Sequence, residues 1–211
     1  MQKTSRAVIV IGGSAPGIQK IRELCESAEY IIAADSGIDH LRSISVNVDL
    51  FIGDMDSVSS EELPSNLRIK EKEVHSTEKD YTDTELALYK CREKGFTDIA
   101  IIGGGGGRLD HLLALYSMFH RDSAPSQWHT QTGSAYLIAN TFNISVKRGS
   151  IVSVFPIGTT TLKAQSNGLK WPLDELEFKI GDFGVSNQAL DNKLGITIIQ
   201  GKALVIVTPV H

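Results

Sequence analysis

The sequence is poor in cysteine, and its two cysteines do not form a pair. Cys25 and Cys91 lie far apart and make no CxxC motif. A disulfide framework or a zinc ribbon is therefore not expected. Both residues lie in amphipathic, helix-like segments, which favours buried free thiols. The histidines also lack metal-ligand spacing with cysteine or with each other, which argues against a zinc site. Those considered are His40, His75, His111, His120 and His129.

The sequence also lacks a long run of apolar residues. No segment is long enough to span a bilayer. Lys3 and Arg6 precede a short apolar stretch, as they would in a signal peptide, but that stretch, Ala7–Ile11, meets Gly12-Gly13 after only five residues. A first β-strand is the better interpretation. We therefore expect a cytoplasmic protein.

Positive charge is scarce and scattered. The 211 residues include 21 Lys and Arg against 25 Asp and Glu, which gives a net charge of −4, and no basic cluster is evident. Nucleic acids and anionic membranes are bound mainly through neutralised phosphates, so neither is an expected partner.

The pattern of apolar segments changes near residue 122. Before it, short apolar runs such as Tyr30–Ala34 alternate with helical patterns such as those around Ile38–Arg42 and at Asp83–Lys94. This alternation predicts an α/β domain with a mostly parallel sheet. After a linker-like stretch at Arg121–Ser126, β-branched runs separated by Gly, Asn or Pro predict an all-β antiparallel sandwich. We expect two domains, residues 1–122 and 130–211.

Three acidic clusters carry most of the chemical information in the chain. They are Gly53–Ser57, Lys79–Asp83 and Arg108–His111, and the last follows an unbroken run of five glycines, Gly103–Gly107. Mg²⁺ prefers hard oxygen ligands, and phosphates are bound by backbone N–H groups that no side chain shields. Carboxylates beside a glycine-rich loop therefore predict a Mg²⁺–nucleotide site.

Two of these clusters also have a purely structural interpretation. Asp54 and Asp56 follow a buried strand at positions i and i+2, so an extended chain puts both carboxylates on one side. A glycine followed by an aspartate is, however, also a common turn. Asp83 follows Thr82, and Thr82 with Glu85 fits a capping box, in which case the acidic residue belongs to the start of a helix.

The glycine run matches neither a Walker A loop nor a convincing dinucleotide fingerprint. It is expected to leave a strand and enter a helix whose first turn holds Arg108 and Asp110, so that N–H groups and a guanidinium bind phosphate. Five successive glycines cost much conformational entropy on folding, and a ligand that approaches the backbone closely would explain them. Two further loops, Gly12–Gly17 and Ala33–Gly37, are either nucleotide contacts or connectors.

Taken in order, these motifs resemble the thiamin pyrophosphokinase (thiamin diphosphokinase) family. The resemblance covers nearly the whole chain, and the family's α/β nucleotide domain followed by a β-sandwich agrees with the change of pattern near residue 122. The family signatures fall on Ala34–Gly37, Gly53–Ser57, Lys79–Asp83, Gly107–His111, Leu169–Leu173 and Gly184–Asn187.

The resemblance implies that the chain transfers the pyrophosphoryl group of ATP to the hydroxyl of thiamin, giving thiamin diphosphate and AMP, with Mg²⁺ as cofactor. It also implies a homodimer with the active site at the subunit interface. The implied roles are catalysis by Asp54, Asp56, Asp83, Arg108 and Asp110; Mg²⁺ binding by Asp54, Asp56 and Asp83; contacts with ATP and its phosphates by Asp35, Lys79, Thr82, Gly106, Gly107 and Arg108; and thiamin binding by Trp171, Ser186 and Asn187.

The resemblance further implies that Trp171 stacks on the cationic, aromatic vitamin, and that Ser186 and Asn187 hydrogen-bond its aminopyrimidine. From the sequence alone, a core aromatic of the β domain is the simpler interpretation of Trp171. The carboxylate that takes the hydroxyl proton stays open between Asp110 and Asp83.

Three other functions fit parts of the pattern. A related pyrophosphokinase would act on a different hydroxyalkyl heteroaromatic, such as a hydroxymethylpterin. A nucleotide- or thiamin-binding regulator would bind without turnover, although such a protein has no need of a full metal cluster. A phosphohydrolase would use the same aspartates and release phosphate without any acceptor.

Overall fold

The computed structural model of the chain describes residues 5–53, 67–74 and 81–210. This part of the chain forms two compact units that are interleaved along the sequence. The first comprises the described residues up to Leu115 together with Pro125–Gln131, and the second comprises Tyr116–Ala124 together with the described residues from Thr132 onward. The two domains expected at residues 1–122 and 130–211 stay a prediction. No helix in the described ranges is long and apolar enough to cross a membrane.

The first unit contains a parallel sheet accompanied by helices, as the alternating pattern predicts. Its strands lie in the order β6-β5-β1-β2-β3-β4, and neighbouring strands pair in parallel. In chain order the elements are β1 Arg6–Val10, α1 Ile18–Glu26, β2 Tyr30–Ala34, a 3₁₀ segment Asp35–Leu41, β3 Val46–Gly53, β4 Leu67–Val74, α2 Asp83–Glu93, β5 Asp98–Ile102, α3 Leu109–Met118 (which ends in the second unit) and β6 Gln127–His129.

The centre of this sheet explains where a ligand would bind. Residues of β1, β2 and β5 are almost entirely buried, because these strands are runs of Val, Ile and Ala covered on both faces. Strands β2 and β5 pair with opposite sides of β1. The strand order therefore reverses between β1 and β5, and in open parallel sheets the crevice outside the carboxyl ends at such a point is the usual ligand site.

The first unit differs from the sequence-based expectation at two places. The helix expected around Ile38–Arg42 is the 3₁₀ segment Asp35–Leu41. Its Gly37 lies so close to the Val10 carbonyl at the end of β1 that a Cβ atom has no room. Strand β6 was not expected, and its residues lie between the two expected domains; three residues are too few to show a period of two.

The second unit consists of two antiparallel sheets, which confirms the expected fold class. One sheet has the order β12-β9-β14-β7 and the other β11-β10-β13-β8. Apolar residues from both sheets form one shared core, as expected for a sandwich. The strands are β7 Ser134–Ile138, β8 Thr141–Ser145, β9 Ile151–Pro156, β10 Thr161–Asn167, β11 Glu177–Lys179, β12 Gly184–Gln188, β13 Lys193–Gln200 and β14 Ala203–Thr208.

Candidate active site

Two glycine loops are joined at the carboxyl ends of β1 and β5. Gly104 N donates to Gly12 O at 2.6 Å, and Ser14 and Gly105 exchange two backbone hydrogen bonds of 2.6 and 3.1 Å. A Cβ atom on Gly103 would collide with the Ile11 carbonyl oxygen. At Gly103 and Gly105, the close approach expected of a ligand is therefore made by the chain's own backbone, and at Gly104 by the side chains of Leu115 and Ile11.

The last two glycines of the run have a different environment. Gly106 and Gly107 are exposed and have φ values of 65° and 72°. A Cβ atom on Gly107 would meet nothing within 4 Å. Glycine is required there by the left-handed backbone rather than by crowding. Their open amides lead directly into the first turn of α3, so this half of the run is free to approach a phosphate.

The first turn of α3 carries a forked ion pair. Arg108 Nε donates to Asp110 Oδ1 at 3.1 Å, and Arg108 Nη2 donates to Asp110 Oδ2 at 2.5 Å. The hydrogen bonds from Arg108 lower the pKa of Asp110 to about 2, and a further bond from His111 N acts in the same direction. A general base works best when its pKa lies near the working pH. Asp110 in this pair is therefore a poor base, and its clear effect is to hold the guanidinium.

Asp35, which follows β2, lies beside the end of β3. A Cβ atom on Gly53 would lie 2.9 Å from Asp35 Oδ1, so this carboxylate is next to the residue that precedes the first acidic cluster. Asp35 also has a φ of 47°, and only one other non-glycine residue in the described part of the chain, Ser186, has a positive φ. Such backbone strain tends to persist where a site requires it.

The start of α2 confirms the capping box expected at Thr82. Glu85 N donates to Thr82 Oγ1 at 3.2 Å, while Thr82 N and Oγ1 donate to Glu85 Oε2 at 3.0 and 2.9 Å. The hydroxyl is therefore already used by the helix, and its contact with phosphate stays a prediction. Asp83 is half-buried in the first turn. Lys79, also predicted to contact phosphate, lies outside the described residues.

One of the three predicted metal ligands lies in the part of the chain that the structure describes. Asp54 and Asp56 lie outside the described residues, and Asp83 lies within them. Within residues 5–53, 67–74 and 81–210, no group of three His, Cys, Asp or Glu could hold a metal ion. The donors proposed for the site are all carboxylate oxygens, the ligand type that Mg²⁺ prefers. Asp35 adds a further carboxylate next to the start of the same cluster.

Three side chains that the sequence did not single out support the glycine loops. Trp128 Nε1 donates to Gly103 O at 2.8 Å, and His40 Nε2 lies 2.8 Å from Gly13 O, where it can only donate. Thr130, just after β6, lies against Gly105. These contacts join residues far apart in the chain, so no local pattern reveals them. A prediction of β6 would have placed Trp128 and Thr130 next to the glycine run.

A cleft of about 560 Å³ in the second unit contains the predicted thiamin-binding residues Trp171 and Asn187. Trp171 is 54% exposed, so it is not the core aromatic that the sequence alone suggested. The Lys170 ammonium lies 4.6 Å from the centroid of the Trp171 ring. The other lining residues are mainly apolar and include Val154, Leu173, Leu176, Phe178, Phe183 and Val185. The volume and lining are typical of a small-molecule site.

Strand β12 carries a β-bulge at the edge of this cleft. Gly184 pairs with Val154, whereas Asn187 pairs with Val152, so β12 has one residue more than β9 over this span. Ser186 lies in the bulge, exposed and with a φ of 62°. The Asn187 side chain is instead buried and hydrogen-bonded to the backbone of Trp171. Because of the bulge, the two neighbouring residues predicted to bind thiamin differ in environment: Ser186 is exposed and Asn187 is buried.

Comparisons with known proteins show the family to which the chain belongs. A family model described as "Thiamin pyrophosphokinase, catalytic domain" matches residues 21–127, and one described as "Thiamin pyrophosphokinase, vitamin B1 binding domain" matches residues 139–203. The chain is 25% identical to thiamin pyrophosphokinase 1 of Caenorhabditis elegans, over 77% of this chain and 72% of that protein. It is 26% identical to thiamine pyrophosphokinase of Bacillus subtilis, over 94% of this chain and 96% of that protein.

Solved structures show the same fold. A thiamin pyrophosphokinase family protein from Enterococcus faecalis superposes with a TM-score of 0.77 at 22% identity, covering 98% of this chain and all of that one. Thiamin pyrophosphokinase from Candida albicans superposes with a TM-score of 0.71 at 15% identity, covering 99% of this chain and 90% of that one.

Proposed function

The chain belongs to the thiamin pyrophosphokinase family, and from this premise we propose how its residues transfer the pyrophosphoryl group of ATP to thiamin. The products are thiamin diphosphate and AMP. The observation that carries the assignment to this site is the forked Arg108–Asp110 pair, which directly follows two open glycine amides at the point where the strand order reverses. A cation and free N–H groups at this place suit a triphosphate.

Mg²⁺ is the cofactor that we propose for the ATP side of the site. Asp54, Asp56 and Asp83 would hold it, and Asp35 would contact ATP from the end of β2. When bound, the ion neutralises charge on the phosphates. This proposal is supported by the all-oxygen donor set and by the proximity of Asp35 to Gly53.

Phosphate binding falls to the groups around the start of α3. We propose that the amides of Gly106 and Gly107 and the guanidinium of Arg108 bind phosphate oxygens, with Lys79 and Thr82 contacting them from the second acidic cluster. Asp110 uses Nε and Nη2 of Arg108, so Nη1 is left for a phosphate oxygen. Asp110 would thus act on the reaction by orienting the arginine.

The reaction needs positioning and charge neutralisation more than a covalent nucleophile. The hydroxyl oxygen of thiamin forms a bond with the β-phosphorus, and the bond from that phosphorus to the oxygen bridging to the α-phosphate breaks. The electron pair leaves with AMP, and the hydroxyl proton passes to solvent or to a carboxylate other than Asp110. Transfer of two phosphoryl groups together explains why AMP is the product.

Thiamin would bind in the cleft beside Trp171. The exposed indole offers an electron-rich face to an aromatic cation, and Ser186 is exposed in the bulge beside the cleft. Asn187 forms part of the cleft wall. This half of the site is rich in apolar groups and has few charged ones, which suits a flat heteroaromatic ligand.

We propose that the active protein is a homodimer whose active sites lie at the subunit interface. Large apolar side chains are exposed in both units, and exposed apolar groups of this size commonly mark interaction surfaces. Ile180 and Phe183 are 75% and 61% exposed in the second unit, and Leu109 and Leu113 on α3 are similarly open. A measured mass of one chain at micromolar concentration would contradict this proposal.

The function is tested by AMP release from ATP and Mg²⁺, with and without thiamin. We expect thiamin-dependent AMP from the unmodified chain and from the exposed control Asp191→Ala, and almost none from Asp54→Ala. AMP release that ignores thiamin would overturn the acceptor assignment, and a hydroxymethylpterin would be tried next. Phosphate release without any acceptor would favour a phosphohydrolase. Binding of ATP and thiamin without AMP would favour a regulator.

A further inference from the structure

The side-chain amide of Asn187 is almost fully occupied by backbone groups. Its Oδ1 accepts from Trp171 N at 3.1 Å and from Gln188 N at 2.8 Å, and its Nδ2 donates to Trp171 O at 2.6 Å. An amide oxygen has two lone pairs and an amide nitrogen has two N–H groups. Three of these four positions are therefore used, and both polar backbone groups of Trp171 are paired with one side chain.

The loop that carries Trp171 is anchored on both sides of this residue. Leu169 and Leu173 are buried, at 5% and 2% exposure, whereas the tryptophan between them points outward. Lys170 N also donates to Gln188 O at 2.8 Å. Lys170, Trp171 and Pro172 are all exposed between these anchors, and the Asn187 amide fixes the backbone of the tryptophan among them.

We propose that Asn187 is a positioning residue for thiamin, which holds the Trp171 ring in place from behind and does not itself hydrogen-bond the vitamin. This inference rests on the proposed function and refines it. Ser186, exposed in the bulge, is then the polar contact of the pair. An exposed ring fixed before binding loses less conformational freedom when the ligand arrives, so its preorganisation appears as affinity for thiamin.

The kinetic test compares Asn187→Ala with Asn143→Ala, the same change at an exposed amide on β8 of the same unit. Loss of the amide should raise KM for thiamin about tenfold. KM for ATP and kcat should change less than twofold, because the ATP residues lie elsewhere in the sequence. The Asn143→Ala variant should match the unmodified chain. An unchanged KM for thiamin, or an equal rise in both KM values, would overturn the proposal.

The second test needs no substrate and uses tryptophan fluorescence. The chain has two tryptophans, so Trp128→Phe leaves Trp171 as the sole emitter. In that background, Asn187→Ala should increase quenching of Trp171 by acrylamide, because the ring gains mobility. Unchanged quenching together with a raised KM for thiamin would mean that Asn187 acts on the vitamin directly, and the proposal would be wrong.

A second variant separates the accepted bonds from the donated one. Asn187→Asp keeps an acceptor for Trp171 N and Gln188 N but sets a carboxylate oxygen against Trp171 O, where the N–H donor was, so quenching should rise in this variant too. Thermal unfolding shows which variants are folded. If the unmodified chain gives no thiamin-dependent AMP, the proposed acceptor fails, whereas quenching still reports whether the amide fixes the ring.

Discussion

Replacement of Gly103 by alanine should destabilise the protein much more than the same change at Gly107. At Gly103, with φ at 105°, a Cβ atom would lie within 3.0 Å of the carbonyl oxygens of Ile11 and Gly12, which are backbone atoms that cannot rotate away. A left-handed conformation costs an L-residue about 1–2 kcal/mol, and overpacking costs about 1–3 kcal/mol more. The free energy of unfolding should therefore fall by about 2–5 kcal/mol in Gly103→Ala.

Gly107→Ala should cost only the conformational part, about 1–2 kcal/mol, because the space around it is open. Gly95→Ala, after α2, is the matched control, since its φ is 84° and its surroundings are also open. Thermal or urea unfolding measures the difference, and for a chain of this length Gly103→Ala should lower Tm by roughly 4–20 °C. If Gly103→Ala is no less stable than Gly95→Ala, the paired glycine loops do not constrain the fold as described.

Three further outcomes are expected. Asp110→Asn should raise KM for ATP several-fold, because the side chain of Arg108 is no longer held in place. The pKa of Asp110 is lowered to about 2, so the ion pair is intact above the ordinary carboxyl range and weakens only as the pH falls towards 2. A titration of kcat/KM for ATP between pH 5 and 8 that disappears in Asp110→Asn would contradict this. Lys170→Met should tighten thiamin binding about two- to fivefold by vacating the Trp171 face, whereas Lys202→Met, at an exposed position, should have no effect in calorimetry. Burial raises the pKa of both cysteine thiols to about 12, so a thiol reagent at pH 8 should modify them only in urea, and rapid labelling of the folded chain would show that they are not buried.

Local patterns in the sequence predicted local structure well. Strand Tyr30–Ala34 has the expected limits, and the capping box at Thr82 and Glu85 is formed by groups three residues apart. The fold class of each part also followed from the sequence. Alternating apolar strands and helices predicted the α/β part, and a succession of β-branched runs predicted the all-β part. These features depend on the order of residues within a short window.

Contacts between distant residues were the part that could not be predicted. The five glycines looked like one ligand loop, but Gly103 and Gly105 lie against the backbone of Ile11, Gly12 and Ser14, a contact that no local pattern reveals. The exposure of Trp171 and the orientation of Asn187 depend on the bulge in β12. This bulge is recognised only when the pairing of β12 with β9 is known. The metal-binding part of Gly53–Ser57 stays a prediction.

The interleaving of the two units has a consequence for synthesis on the ribosome. Strand β5 pairs with β1 on one side and with β6 on the other. Residues 116–124 belong to the second unit and are made before β6. Until Gln127–His129 emerges, the apolar strand β5 presents unpaired N–H and C=O groups on its β6 side, which is the kind of edge that recruits other chains. A chain cut at residue 122 would keep that edge permanently, so we expect such a fragment to aggregate where the full chain does not.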